Sequence, residues 1–235
     1  MKFRSRWTLI VVAAAAVVAT GIGLVNAANA SYPLARNYAF TGLSSDWAVY
    51  DTTHSKAPSA RVPSLVTVSG GALHVATVGA KGSGLCLCRN TGKPTKPYGR
   101  WDIRARASKN ADHGFAMLLW PNAENWPVGG EIDLAEYPDA ARSRVQATVH
   151  YGAKNREYVG FLSGSFTTWH TYSVVWTSTS ITYSVDGRRF LTVHDRAAIP
   201  KGAMHLVLQA GANSGIRAAA DTRATLDVDW VKVYR

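Results

Sequence analysis

Three acidic side chains stand within six residues: Glu131, Asp133 and Glu136, in the stretch Glu131-Ile132-Asp133-Leu134-Ala135-Glu136. Two carboxyl groups flanking a sugar's anomeric carbon can cleave a glycosidic bond, one as nucleophile and the other as proton donor. A strand sends alternate side chains to opposite faces, so Glu131 and Asp133 share one face while Ile132 and Leu134 share the other. Glu136 has the wrong parity. It joins the other acids only where one surplus residue, Leu134 or Ala135, is absorbed in a β-bulge. The alternative would bury an unpaired carboxylate beside Ile132 and Leu134, which is costly. With the bulge the two glutamates stand four effective steps apart, roughly 13 Å between Cα atoms at about 3.3 Å per residue. Side chains leaning toward each other bring the carboxyl groups to about 5–6 Å, which suits a retaining pair; an inverting pair needs about 6.5–9.5 Å to hold a water. Asp133, shorter and between them, is expected to set their ionisation apart.

Acids alternating along a strand most often mark only its solvated face. Here, however, three of the chain's 15 acidic residues fall in one short window, against 26 basic residues overall. The flanks are also unusual for a solvated strand: Trp126, Pro127, Gly129 and Gly130 lead in, and Tyr137 and Pro138 lead out. Indole and phenol faces stack on the apolar faces of sugar rings, and glycines admit a ligand close to the backbone. Trp101, Trp120 and Trp126, close together in sequence and ahead of the acids, are the candidate stacking platforms, with Arg104 as a hydroxyl-binding donor.

The stretch W-P-V-G-G-E-I-D-L-A-E-Y, Trp126 to Tyr137, resembles the active-site strand of glycoside hydrolase family 16 in its bulged E-x-D-x-x-E form, common among endo-β-1,3-glucanases of the laminarinase type. The resemblance continues through Tyr98–Arg106, Val149–Gly152, Trp169–Trp176, Val185–Gly187 and Asp227–Tyr234, in the family's order. It implies a β-jelly roll with a substrate cleft across its concave sheet, and a secreted, retaining endo-β-glycosidase acting on β-1,3- or mixed β-1,3/1,4-glucan. By position in the motif, Glu131 would be the nucleophile, Glu136 the general acid and then base, and Asp133 their electrostatic partner. His150 would point from the neighbouring strand toward Glu136. Two alternatives share this scaffold, a non-catalytic glucan-binding lectin and a transglycosylase. The resemblance also brings a structural calcium, for which the sequence offers no clean ligand set; no cofactor or catalytic metal is expected. Ala135 stands where the family commonly has methionine, and Leu208–Gly215 lacks a tryptophan frequent in laminarinases.

Lys2, Arg4 and Arg6 precede an apolar run from Trp7 to about Val25, followed by Ala28-Asn29-Ala30. That order predicts a secretory signal peptide over residues 1–30, leaving 31–235 as a single domain with no membrane segment, working as a monomer. The run is also long enough to serve as an uncleaved anchor. The net charge of +11 would attract anionic surfaces, but the basic residues are scattered in ones and twos and form no nucleic-acid module. Cys86 and Cys88 would share one face of a strand, where a bridge closes a very tight ring. They are therefore expected to be free thiols or linked to another molecule rather than a structural staple.

About a dozen short apolar or alternating stretches separated by turn residues, and no amphipathic helix, predict an all-β antiparallel sandwich. Among them are Leu65–Val68 and Ala72–Val78 around a glycine pair, Trp101–Ser108, Phe115–Trp120, Gln146–Tyr151, Thr171–Trp176, Ser180–Asp186, Phe190–Val193, His205–Ala210 and Thr225–Tyr234.

Overall fold

The computed structural model describes residues 32–54, 60–90, 92–213 and 216–235; the expected signal peptide lies outside them. Two antiparallel sheets pack face to face. The first contains, in spatial order, β10 (Arg156–Ser163), β9 (Arg144–Tyr151), β8 (Glu131–Glu136), β7 (His113–Pro121), β14 (Met204–Ala212), β5 (Ser83–Leu87) and β2 (Trp47–Val49). The second runs β13 (Arg188–Val193), β12 (Ile181–Val185), β11 (His170–Trp176), β6 (Gly99–Ala107), β15 (Arg223–Tyr234), β4 (Ala72–Val78) and β3 (Val66–Ser69), with β1 (Leu34–Ala39) also paired to β15. Among the described residues the only helical element is the 3-10 turn Pro63–Leu65. None is a helix long and apolar enough to cross a membrane.

The period-2 patterns explain this layering. In β9, Val145, Ala147, Val149 and Tyr151 enter the main core, as do Trp101, Ile103, Ala105 and Ala107 of β6 from the opposite sheet. Burying such side chains contributes about 25 cal/mol per Å² of apolar surface, so a one-residue slip in either strand would forfeit its whole apolar face. The residues between them face outward. On the outer face of the first sheet a small second cluster forms from Cys86, Ala116, Leu118 and Val207, with Ala48, Tyr50, Cys88 and Trp120 against it.

Two expectations require correction here. Cys86 and Cys88 are joined by a disulfide, with Cα atoms 5.2 Å apart. Strand β5 ends at Leu87, so Cys88 lies beyond the regular pleat and the chain can bend to bring the pair within ordinary disulfide reach. Strand β10 was not expected at all. It is an edge strand whose pattern is mostly exposed, so the alternation that marks a half-buried strand is lost.

Candidate active site

Strand β8 begins straight after Gly130, whose φ of +79° lies in the left-handed region. A Cβ built there would come within 2.7 Å of the Pro200 ring, so only glycine lets the chain enter the strand at this point. Along β7, Leu118 pairs with Asp133 and Met117 with Ala135, which leaves Leu134 without an opposite residue. On the other side Asp133 pairs with Thr148 and Glu136 with Gln146, so three steps of β8 are answered by two of β9. This is the surplus residue expected of the motif. Leu134 and Ala135 are both taken into the core, at 2% and 0% exposure. Glu136 thereby regains the parity of the other acids: Glu131, Asp133 and Glu136 stand opposite His150, Thr148 and Gln146, alternate residues on one face of β9. Glu131 and Glu136 thus lie four β9 steps apart, in agreement with the spacing expected from the sequence.

Asp133 sits deep between two partly exposed glutamates. The Glu136 Oε2 atom accepts hydrogen bonds from the Gln146 amide and the Thr148 hydroxyl, both at 3.2 Å. Neither donor was picked out from the sequence, although both are readable as the neighbours of His150 at period 2. His150, expected to point toward Glu136, pairs in register with Glu131, because antiparallel pairing places the end of β9 beside the start of β8. Its Nε2 lies 3.1 Å from Asp133 Oδ2, and its Nδ1 faces Asn155 Oδ1 at 3.1 Å and Glu157 Oε1 at 3.3 Å.

Burial raises the pKa of all three acids. Glu131 is held well above 4.5, first by desolvation and then by the charge of Asp133. Asp133 is held well above 3.8 by desolvation and then by the charge of Glu136. Glu136 is also raised by desolvation, against the opposing pull of His150 and its hydrogen bonds from Thr148 and Gln146. Three neighbouring carboxylates resist ionising together, so the trio holds protons to higher pH than isolated acids would.

A carboxyl group with a raised pKa favours the folded state while it is protonated. That stability is present below the ordinary values of 4.5 and 3.8 and is lost as pH rises through the raised ones. Asp133→Asn is accordingly expected to raise stability by about 0.5–2 kcal/mol at neutral and alkaline pH, with the gain shrinking toward acid. Thermal unfolding across a pH series checks this, and an identical shift at about pH 3 and about pH 8 contradicts it.

Around the acids, Trp120 of β7 and Trp126 of the preceding loop stack at 6.2 Å with an interplanar angle of 15°, and Trp126 lies 6.4 Å from the His150 ring. The Trp126 ring is 40% exposed, so its indole is open to a ligand. The buried His205 of β14, paired with Trp120 of β7, has its pKa pushed down to about 4 by burial and stays neutral.

Trp101 and Arg104 are elsewhere. Both belong to β6 in the other sheet; Trp101 is sealed in the core at 1% exposure beside Trp176, and Arg104 points outward to an ion pair with Asp229 at 2.8 Å. Their closeness in sequence to the acids misled, because consecutive strands β6 and β7 belong to different sheets. Among the described residues no three His, Cys, Asp or Glu side chains converge as a metal-binding group.

Residues 79–232 match the family described as Glycosyl hydrolases family 16. A "Beta-glucanase" from Rhodothermus marinus is 29% identical over 170 residues, which cover 61% of this chain and 59% of that protein. A "Glucan endo-1,3-beta-glucosidase A1" from Niallia circulans is 29% identical over 165 residues, covering 59% of this chain and 24% of that protein. These matches therefore span less than two thirds of either relative. The X-ray structure of the laminarinase from Rhodothermus marinus superposes with a TM-score of 0.75 at 23% identity, over 87% of this chain and 97% of that one, so the sandwich is the jelly roll expected from the motif. With well over half of its length inside the family match and the bulged acidic strand within that span, this chain belongs to glycosyl hydrolase family 16.

Proposed function

We propose that the protein is a secreted retaining endo-β-glucanase that hydrolyses β-1,3- or mixed β-1,3/1,4-glucan. The observation that carries this reading is the register shift in β8, which puts Glu136 on the same outer face as Glu131 and Asp133. The names of the beta-glucanase and glucan endo-1,3-beta-glucosidase relatives support the choice of β-glucan. In this reading residues 1–30 direct export and are removed, and 31–235 act as one catalytic domain and as a monomer.

The cycle follows from the site. A sugar ring lies over the acid face, with Trp126 and Trp120 beside Glu131. A Glu131 oxygen attacks C1 as the C1–O bond to the leaving sugar breaks, and Glu136 gives its proton to the departing oxygen. Thr148 and Gln146 hold one Glu136 oxygen and stabilise the carboxylate that results. Asp133, pinned between the two glutamates and against His150, adds negative charge that favours the oxocarbenium-like transition state. A water then attacks C1 from the vacated side, gives its proton to Glu136 and frees Glu131. Two inversions leave the configuration at C1 unchanged.

A panel of laminarin, lichenan, cellulose and other polysaccharides, with product sizing and proton NMR of the first-formed anomer, tests the proposal. The expected outcome is mid-chain cleavage of a β-1,3-containing glucan with the β-anomer formed first. An initial α-anomer would remove the retaining mechanism, and tight binding with no product from any glucan would favour the lectin. Transfer of glycosyl groups to an added acceptor, in preference to water, would make the protein a transglycosylase.

A further inference from the structure

The outer face of the first sheet extends past the acids to its edge, and there it carries exposed apolar side chains. Across the β9–β10 pair, Glu157 stands opposite His150, Val159 opposite Thr148 and Phe161 opposite Gln146. Directly paired residues share a face, so Val159 and Phe161 continue the row that holds Glu136 and its two hydrogen-bond donors. Val159 is 39% exposed and Phe161 48% exposed, while Leu162, of opposite parity, enters the core. The Arg144 guanidinium lies 4.7 Å from the centre of the Phe161 ring and backs it. The ring is held in place and still open, an arrangement suited to stacking against the C–H face of a pyranose. Two strand spacings separate β10 from β8, roughly 10 Å, so the ring stands beyond the sugar held at Glu136.

We propose that Phe161, backed by Arg144 and flanked by Val159, is a distal platform that binds a further glucosyl unit of the same glucan chain. The proposal rests on the β-glucan reading above. Continuity with the acid row argues for a sugar: Gln146, which pairs with Phe161, itself donates to Glu136, so a chain crossing the sheet from the acids meets this ring next.

The test compares the full chain with Phe161→Ala and Phe161→Tyr, using laminari-oligosaccharides from the shortest one cleaved to laminarihexaose. In Phe161→Ala the ratio of kcat/KM for the hexaose to kcat/KM for the shortest substrate is expected to fall about tenfold, equivalent to about 1.4 kcal/mol. Phe161→Tyr restores it. Laminarihexaose binding, titrated in a Glu131→Gln background to prevent turnover, is expected to weaken by a similar factor in Phe161→Ala. An unchanged ratio, or an equal loss at every length, overturns the platform. So does a wild-type dimer, seen by sedimentation velocity, that Phe161→Ala converts to monomer with the ratio unaltered, since the ring would then serve pairing of β10 with a second copy. A wild-type chain that binds the hexaose through Phe161 without cleaving it defeats the hydrolase reading and upholds the platform. Cleavage that is indifferent to Phe161 does the reverse, and a chain that neither binds nor cleaves loses both.

Discussion

Glu131→Gln is expected to lower kcat on glucan by on the order of 10⁴-fold or more while the fold survives, because an amide of nearly the same shape cannot form the covalent intermediate. The unfolding midpoint should hold or rise, since a group with a raised pKa no longer has to ionise. Glu136→Gln should behave differently. Loss of the general acid costs about 10²–10⁴-fold on a natural glucan, whose leaving oxygen needs a proton. With a dinitrophenyl leaving group, which departs without that proton, the first step should be nearly normal and the glycosyl-enzyme should accumulate. Added azide, needing no general base, should then release it as a β-glycosyl azide. Reducing-end assays and a dinitrophenolate burst distinguish the two variants, and full activity in Glu131→Gln sinks the assignment of roles.

Arg142→Ala is expected to cost about 3–5 kcal/mol of stability, the largest loss foreseen for a single side chain here. Arg142 is 1% exposed and forms no salt bridge among the described residues; its guanidinium donates instead to the carbonyl oxygens of Ser108, Tyr137, Asp139 and His113. It also lies over the Phe115 and Tyr137 rings, at 5.1 and 5.9 Å. Desolvation pulls its pKa below the usual guanidinium value. Truncation strands several buried acceptors at once and releases the turn by which the chain leaves β8, directly after Glu136. Lysine keeps the charge but not the planar fork that reaches separate carbonyls, so Arg142→Lys should recover only part of the loss. Urea midpoints check the order, and an alanine variant within about 0.5 kcal/mol of wild type would show the network to be dispensable.

The residues differ in how far they were legible. The acid strand was readable to within one residue, since parity and the cost of burying Glu136 demanded one surplus position at Leu134 or Ala135, and against β7 it falls at Leu134. Of the candidate stacking rings, Trp120 and Trp126 do come together, with Trp126 next to His150. Trp101 and Arg104 do not join them, because nothing local says that β6 and β7 separate into different sheets. Arg142 escaped notice for a related reason: its four acceptors come from segments up to 34 residues away in sequence, and no local pattern marks a cation that is satisfied by carbonyls.

By itself the sequence determined the all-β class, the bulge and the common face of the three acids, since these follow from side-chain alternation and the price of an unpaired buried charge, both local in the chain. Only the tertiary structure decided which strands flank the acids. It thereby set His150 beside Asp133 and Glu131, gave Glu136 its Thr148 and Gln146 donors, joined Cys86 to Cys88, and brought the edge strand with Phe161 into the same outer face. Strand order is fixed by contacts between segments far apart in sequence, and those contacts are chosen by the packing of the whole core.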